Sequence, residues 1–115
     1  MSKKEIKESQ EIVPMVIDLG IARRGDLNEN SLGQFGAQID FMLNSMFRGG
    51  LPSGLVRGTE REIDSFMQAL NNEKGYISDY QKYGLNDPNT YSSRYRLESA
   101  IKNFERATGI KWPIK

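Results

Sequence analysis

Leu32, Phe35, Ile39, Met42, Leu43, Met46 and Phe47 recur at the three- and four-residue spacing of a helix, and the run stops at Gly49-Gly50. No other stretch constrains the fold as strongly. Such a stripe predicts about four turns of amphipathic helix with one face that must be covered by other elements. Gly33 and Gly36 lie within it, each costing about 1 kcal/mol relative to Ala in a helix interior. Close approach of another element is the simplest compensation. Upstream, in "RRGDLNENS" (Arg23 to Ser31), Asp26, Asn28, Asn30 and Ser31 can all cap, and Asp26 with Glu29 has capping-box spacing.

The flanking segments supply the cover. In "IVPMVIDLGIA" (Ile12 to Ala22), Ile17, Leu19 and Ile21 alternate with Asp18 and Gly20, which is strand period. Pro14 suits the beginning or edge of that strand. "LVRG" (Leu55 to Gly58) reads as a short second strand, so that a strand–helix–strand unit would be parallel. Thr59-x-x-Glu62 is a capping box opening another helix, with Ile63, Phe66, Met67 and Leu70 as its buried stripe. Ile77 and Tyr80 keep the phase past Asn71-Asn72 and Gly75, giving one kinked helix or two short ones, with Gly84 at the end. "LNDPNTYSS" reads as a turn. A last helix is expected over Ser93 to Thr108, carrying Leu97, Ala100, Ile101, Phe104 and Ala107 on one side and closed by Gly109.

The expected fold is helix-dominated α+β: a short strand–helix–short strand unit followed by two or three amphipathic helices. The alternative is all-α, with Ile12 to Ala22 extended. Residues 1–11, which alternate Lys and Glu, read as a flexible charged arm. Residues 12–115 read as a single compact domain. In the closing stretch "GIKWPIK", Trp112 is the sole tryptophan of the 115 residues. It follows the helix cap closely enough to fold back as a clasp on the core. The other reading is a hook for a partner.

Composition narrows the chemistry. The chain has no cysteine and no histidine, which removes thiolate nucleophiles, disulfides, zinc fingers and the commonest general base. Without them no nucleophile–base pair can be drawn, and the chain reads as non-enzymatic. Asp26, Asn28 and Asn30 have the alternation of a calcium loop, but Ser31 and Ala37 stand where its Gly and Glu belong, so no metal or cofactor is expected. "FRGGLPSGLVRGT" lacks the Gly-Lys-Ser/Thr ending of a phosphate loop. The tripeptide Arg24-Gly25-Asp26 reads as a turn with Asp26 capping the next helix. The charged N-terminus is not a secretory signal, and the apolar run Ile12 to Ile17 is too short for a membrane span.

What remains is surface. Tyr76, Tyr80 and Tyr83 fall at i, i+4 and i+7, and Tyr91, Arg94, Tyr95 and Arg96 follow. Tyrosine and arginine are enriched where proteins bind proteins. Aromatics interleaved with basic residues also stack nucleic-acid bases and hold phosphates. From Tyr91 onward six basic residues face two acidic ones, although the chain as a whole carries only +1. The candidate interaction residues are therefore Tyr76, Tyr80, Tyr83, Tyr91, Arg94, Tyr95, Arg96 and Trp112. A protein partner, with self-association included, is the first reading, and nucleic acid the second.

Three stretches carry a family likeness: "VIDLGIARRGDLNE", "RGTEREIDSFMQALNNEKGY", and "YGLNDPNTY" running on to "FERATGIKWP". Over roughly residues 13 to 115 the chain resembles small uncharacterised proteins of tailed bacteriophages, often encoded near virion genes. The resemblance implies a structural or accessory protein acting through contacts with other virion or assembly proteins, located in the virion or the host cytoplasm. It carries no catalytic motif and assigns no residue a role.

Overall fold

The computed structural model describes residues 15–49 and 54–114. The charged arm of residues 1–11, the start of the first strand at residues 12–14 and the turn at residues 51–53 lie outside the described residues. The elements run β1 (Met15–Asp18), α1 (Glu29–Phe47), β2 (Gly54–Arg57), α2 (Glu60–Tyr83) and α3 (Pro88–Thr108). The protein is helix-dominated α+β, as its patterning predicts.

β1 and β2 pair in parallel, from Met15 opposite Gly54 to Asp18 opposite Arg57. One further bond, Leu19 N–H to the Arg57 carbonyl at 2.8 Å, closes the ladder. The expected alternation through Ile21 is cut short there. The Asp18 carboxylate accepts the Gly20 N–H at 2.9 Å, and the chain turns, with Asp26 N–H reaching the Ile21 carbonyl at 2.7 Å. Local side-chain bonding thus outcompetes the strand.

The helix after this turn is capped by Asn28 rather than Asp26. Ser31 N–H donates to Asn28 Oδ1 at 2.9 Å, and Asn28 N–H donates to Ser31 Oγ at 2.8 Å. Asp26 lies two residues too early and pairs with Arg24 instead. α1 buries Phe35, Ile39, Met42 and Leu43. Of its two glycines only Gly36 is approached closely: a Cβ there would lie 3.4 Å from Pro113, whereas one at Gly33 would meet nothing within 4 Å.

α2 opens on the expected Thr59/Glu62 box, with bonds of 2.8 and 3.1 Å. It continues unbroken through Asn71-Asn72 and Gly75. Its buried face is Phe66, Ala69, Leu70 and Glu73; Met67, expected in that stripe, points to the side and is exposed. α3 starts five residues earlier than expected. Pro88 occupies its first turn, where a missing N–H costs nothing. The restriction that Pro88 places on Asp87, held at φ −95° and ψ 142°, is the extended conformation an N-cap needs. Asp87 Oδ1 accepts the Asn89 N–H at 2.8 Å. Four residues join α2 to α3, and the two helices lie side by side as an antiparallel hairpin.

The core gathers at one end of this hairpin. Phe35 of α1, Phe66 of α2, Phe104 of α3 and Trp112 form a mutual aromatic cluster with ring centroids 5.2–6.5 Å apart. Such stacked, tilted and edge-on pairs contribute about 0.5–1.5 kcal/mol each beyond area burial. Gly109, at φ 75°, ends α3 in the left-handed conformation. The tail then folds back along the hairpin, burying Ile110 and Trp112.

Candidate functional site

At the other end of the hairpin the helices lose their cover. Successive turns bring Tyr76, Tyr80 and Tyr83 onto the same side of α2 as Ala69 and Glu73. Near the body that side is buried, and Glu73 is 3% exposed; two turns on, Tyr80 is 47% exposed. Tyr83 in the last turn, Leu85 in the connection and Tyr91 and Tyr95 on α3 are also exposed, Tyr95 to 72%. Tyr76 and Tyr80 meet edge to face at 6.3 Å, and Lys82 lies over the Tyr83 ring at 5.2 Å.

Small polar side chains, not apolar ones, hold this tip together. Thr90 is fully buried, its hydroxyl shared between the Gly84 carbonyl at 2.6 Å and the Asp79 carbonyl at 3.3 Å. Ser93 donates to the Asp79 carboxylate and accepts from Arg96 at 3.2 Å. The tip is thus built rigidly while its large apolar surface is left outside.

Seven of the eight predicted interaction residues lie on this half of the hairpin. Of the two arginines, only Arg94 has an acidic partner among the described residues. Arg94 pairs with Glu98 at 3.6 Å, and Arg96 is drawn into the Ser93–Asp79 network. Trp112 stands apart from the other seven. It is 4% exposed within the aromatic cluster, and its indole N–H donates to Glu73 Oε1 at 2.8 Å.

Glu73 is the residue that sequence reasoning missed. Burial holds its carboxyl above the usual carboxylate range, and the Trp112 N–H draws it only partly back. Its one signal was phase: it continues the Phe66, Ala69 and Leu70 stripe. Beside it a groove of about 200 Å³ opens between α2 and α3, lined by Glu73, Tyr76, Arg94, Leu97, Glu98, Ile101 and Ile114. A larger hollow of about 440 Å³ near the start of α2 is polar and charge-balanced, with Glu60 and Asp64 facing Arg61 and Arg106.

The carboxylates at the opposite corner have structural partners. Arg23 grips the buried Glu62 through Nε at 3.2 Å and Nη2 at 3.1 Å, and holds its carboxyl below the ordinary value. Arg24 does the same to Asp18. Among the described residues no cluster of three potential ligands could hold a metal ion, and no helix is long and apolar enough to cross a membrane. No protein-family model, curated protein or solved structure matches the chain.

Proposed function

We propose that the chain is a non-catalytic structural or accessory protein of a bacteriophage particle or its assembly, and that it binds another protein through the tyrosine-rich tip of the α2–α3 hairpin. One observation carries the binding role: Tyr80, Tyr83, Leu85, Tyr91 and Tyr95 are all at least 41% exposed on one short, internally bonded hairpin end. Isolated exposed apolar residues are ordinary, but a cluster of them on a rigid support is what an interface presents. Tyrosine adds large contact area at little conformational cost. The phage setting rests on the resemblance of the three quoted stretches, with the virion or the host cytoplasm as the place of action.

Nucleic acid is the second reading. Exposed Lys82 over the Tyr83 ring favours it, while the pairing of Arg94 with Glu98 favours the protein partner.

The test is incorporation. The triple variant Tyr80→Ser, Tyr91→Ser, Tyr95→Ser should fold but be lost from purified particles of the source, or fail to self-associate in light scattering. A chain that is missing from particles, stays monomeric and binds no virion component ends the proposal. A mobility shift with DNA or RNA that weakens steeply with salt would move the assignment to the second reading.

A further inference from the structure

The groove beside Glu73 has an unusual floor. Leu97, Ile101 and Ile114 line it with apolar surface, Tyr76 with an aromatic ring, Arg94 and Glu98 with an ion pair, and Glu73 with a carboxylate that is 3% exposed. Trp112 occupies one oxygen of that carboxylate, and the other has no hydrogen-bond partner among the described residues. A buried carboxylate with one oxygen left without a donor is costly unless something donates to it. Glu73 makes no ion pair among the described residues: Arg94, a cation that lines the groove, is paired with Glu98.

We infer that this groove receives a lysine side chain of the partner protein, with its methylene stem on Leu97, Ile101 and Ile114 and its ammonium against the unpartnered oxygen of Glu73. The inference rests on the reading of the tip as a docking surface, with which the groove shares Tyr76. Three features select lysine. The apolar part of the lining with a carboxylate beside it suits a long unbranched stem carrying a charge at its end. Arginine binds carboxylates best through two parallel bonds, and Trp112 already holds one oxygen, whereas an ammonium needs only the other. The Tyr76 ring at the rim offers a face to a passing cation.

Trp112 is the sole tryptophan and bonds directly to Glu73, so its indole N–H resonance reports on the site. The probes are Nα-acetyl-lysine N-methylamide and its norleucine counterpart, which keeps the stem and lacks the ammonium. Both are titrated into the full-length protein. The lysine probe should shift the resonance saturably and bind about tenfold more tightly than the norleucine probe, the scale of one charge-assisted hydrogen bond. Glu73→Gln, which keeps an acceptor for Trp112, should erase that preference. Ile101→Phe, which fills the groove without altering charge, should block both probes. Equal binding of the two probes, no saturable shift up to their solubility, or unchanged lysine binding in Ile101→Phe would each overturn the inference. The tip variants Tyr91→Ser and Tyr95→Ser should leave probe binding intact. Loss of the partner with a working groove therefore speaks about the tip, and an empty groove with the partner still bound removes only the lysine.

Discussion

The two ends of the α2–α3 hairpin are made from the same helices in the same phase, yet they behave as different materials. At the body end, Phe66, Leu70, Ala100 and Phe104 are closed over by α1 and the returning tail. At the tip, the same side of α2 carries Tyr80 and Tyr83 with nothing comparable above them, and the buried contacts pass to Thr90 and Ser93. Amphipathic periodicity states which face of a helix is apolar. It does not state how far along the helix a cover reaches. The residue types mark that limit here: phenylalanine where the cover is complete, tyrosine where a hydroxyl must meet water.

Removing the cover is the most severe way to break this contrast. Trp112→Ala deletes the ring that contacts Phe35, Phe66 and Phe104 and leaves Glu73 without its donor. A loss of about 3–5 kcal/mol is expected in chemical denaturation. Tyr95→Ala at the tip, an aromatic truncation of similar size, should change stability by no more than about 0.5 kcal/mol. If the two substitutions cost the same, the division between body and tip is wrong.

The acidic groups sharpen the comparison through pH. Glu73 has a folded value raised above its ordinary 4.5 by burial. Its contribution to stability is complete below 4.5 and is lost as pH rises through the folded value. Glu62 and Asp18, held below their ordinary values by Arg23 and Arg24, act with the opposite sign: their contribution is present above those values and lost on acidification. Stability measured across this range in the wild type and in Glu73→Gln should differ by a slope. The variant should lose the decline on the alkaline side of 4.5 and keep the acid-side fall. A wild-type profile that the substitution leaves unchanged would show that Glu73 is not buried as described.

Much of this arrangement was legible in the residues. The helix of Leu32 to Phe47, the parallel strands on either side of it, the Thr59/Glu62 box and the Gly109 cap all rest on local patterns a few residues long, and each reappears in the fold. The misses share a cause. Ile21 has strand period but sits in a turn, because the Asp18 carboxylate captures Gly20 N–H. Asp26 has cap spacing but is claimed by Arg24. Met67 has helical phase but no neighbour to cover it. In each case a contact decided between locally equal options, and single-residue pattern carries no record of contacts. The tyrosine cluster was visible as a composition of Tyr76 to Tyr95; Trp112 stands away from it, folded back on the core as the clasp reading of the closing stretch has it, and its bond to Glu73 is what spacing does not specify.

The smallest expected effect tests the cover from the side of α1. Gly33 and Gly36 are three residues apart in one helix, and both pay the helix cost of glycine. Only Gly36 is used by the packing, its missing Cβ leaving room for Pro113 of the tail at 3.4 Å. A methyl group at Gly33 meets nothing within 4 Å, so Gly33→Ala should stabilise the protein by about 1 kcal/mol. Gly36→Ala gains the same propensity, and its methyl would also stand at van der Waals distance from Pro113, in the segment that holds Trp112, so its net gain should equal or exceed that of Gly33→Ala. The two are compared by urea titration, and the comparison becomes decisive in the Trp112→Ala background. There the tail has lost its anchor, and any excess of Gly36→Ala over Gly33→Ala should vanish. Persistence of an excess without the anchor would place its origin in α1 itself and not in the closure of the tail over the body.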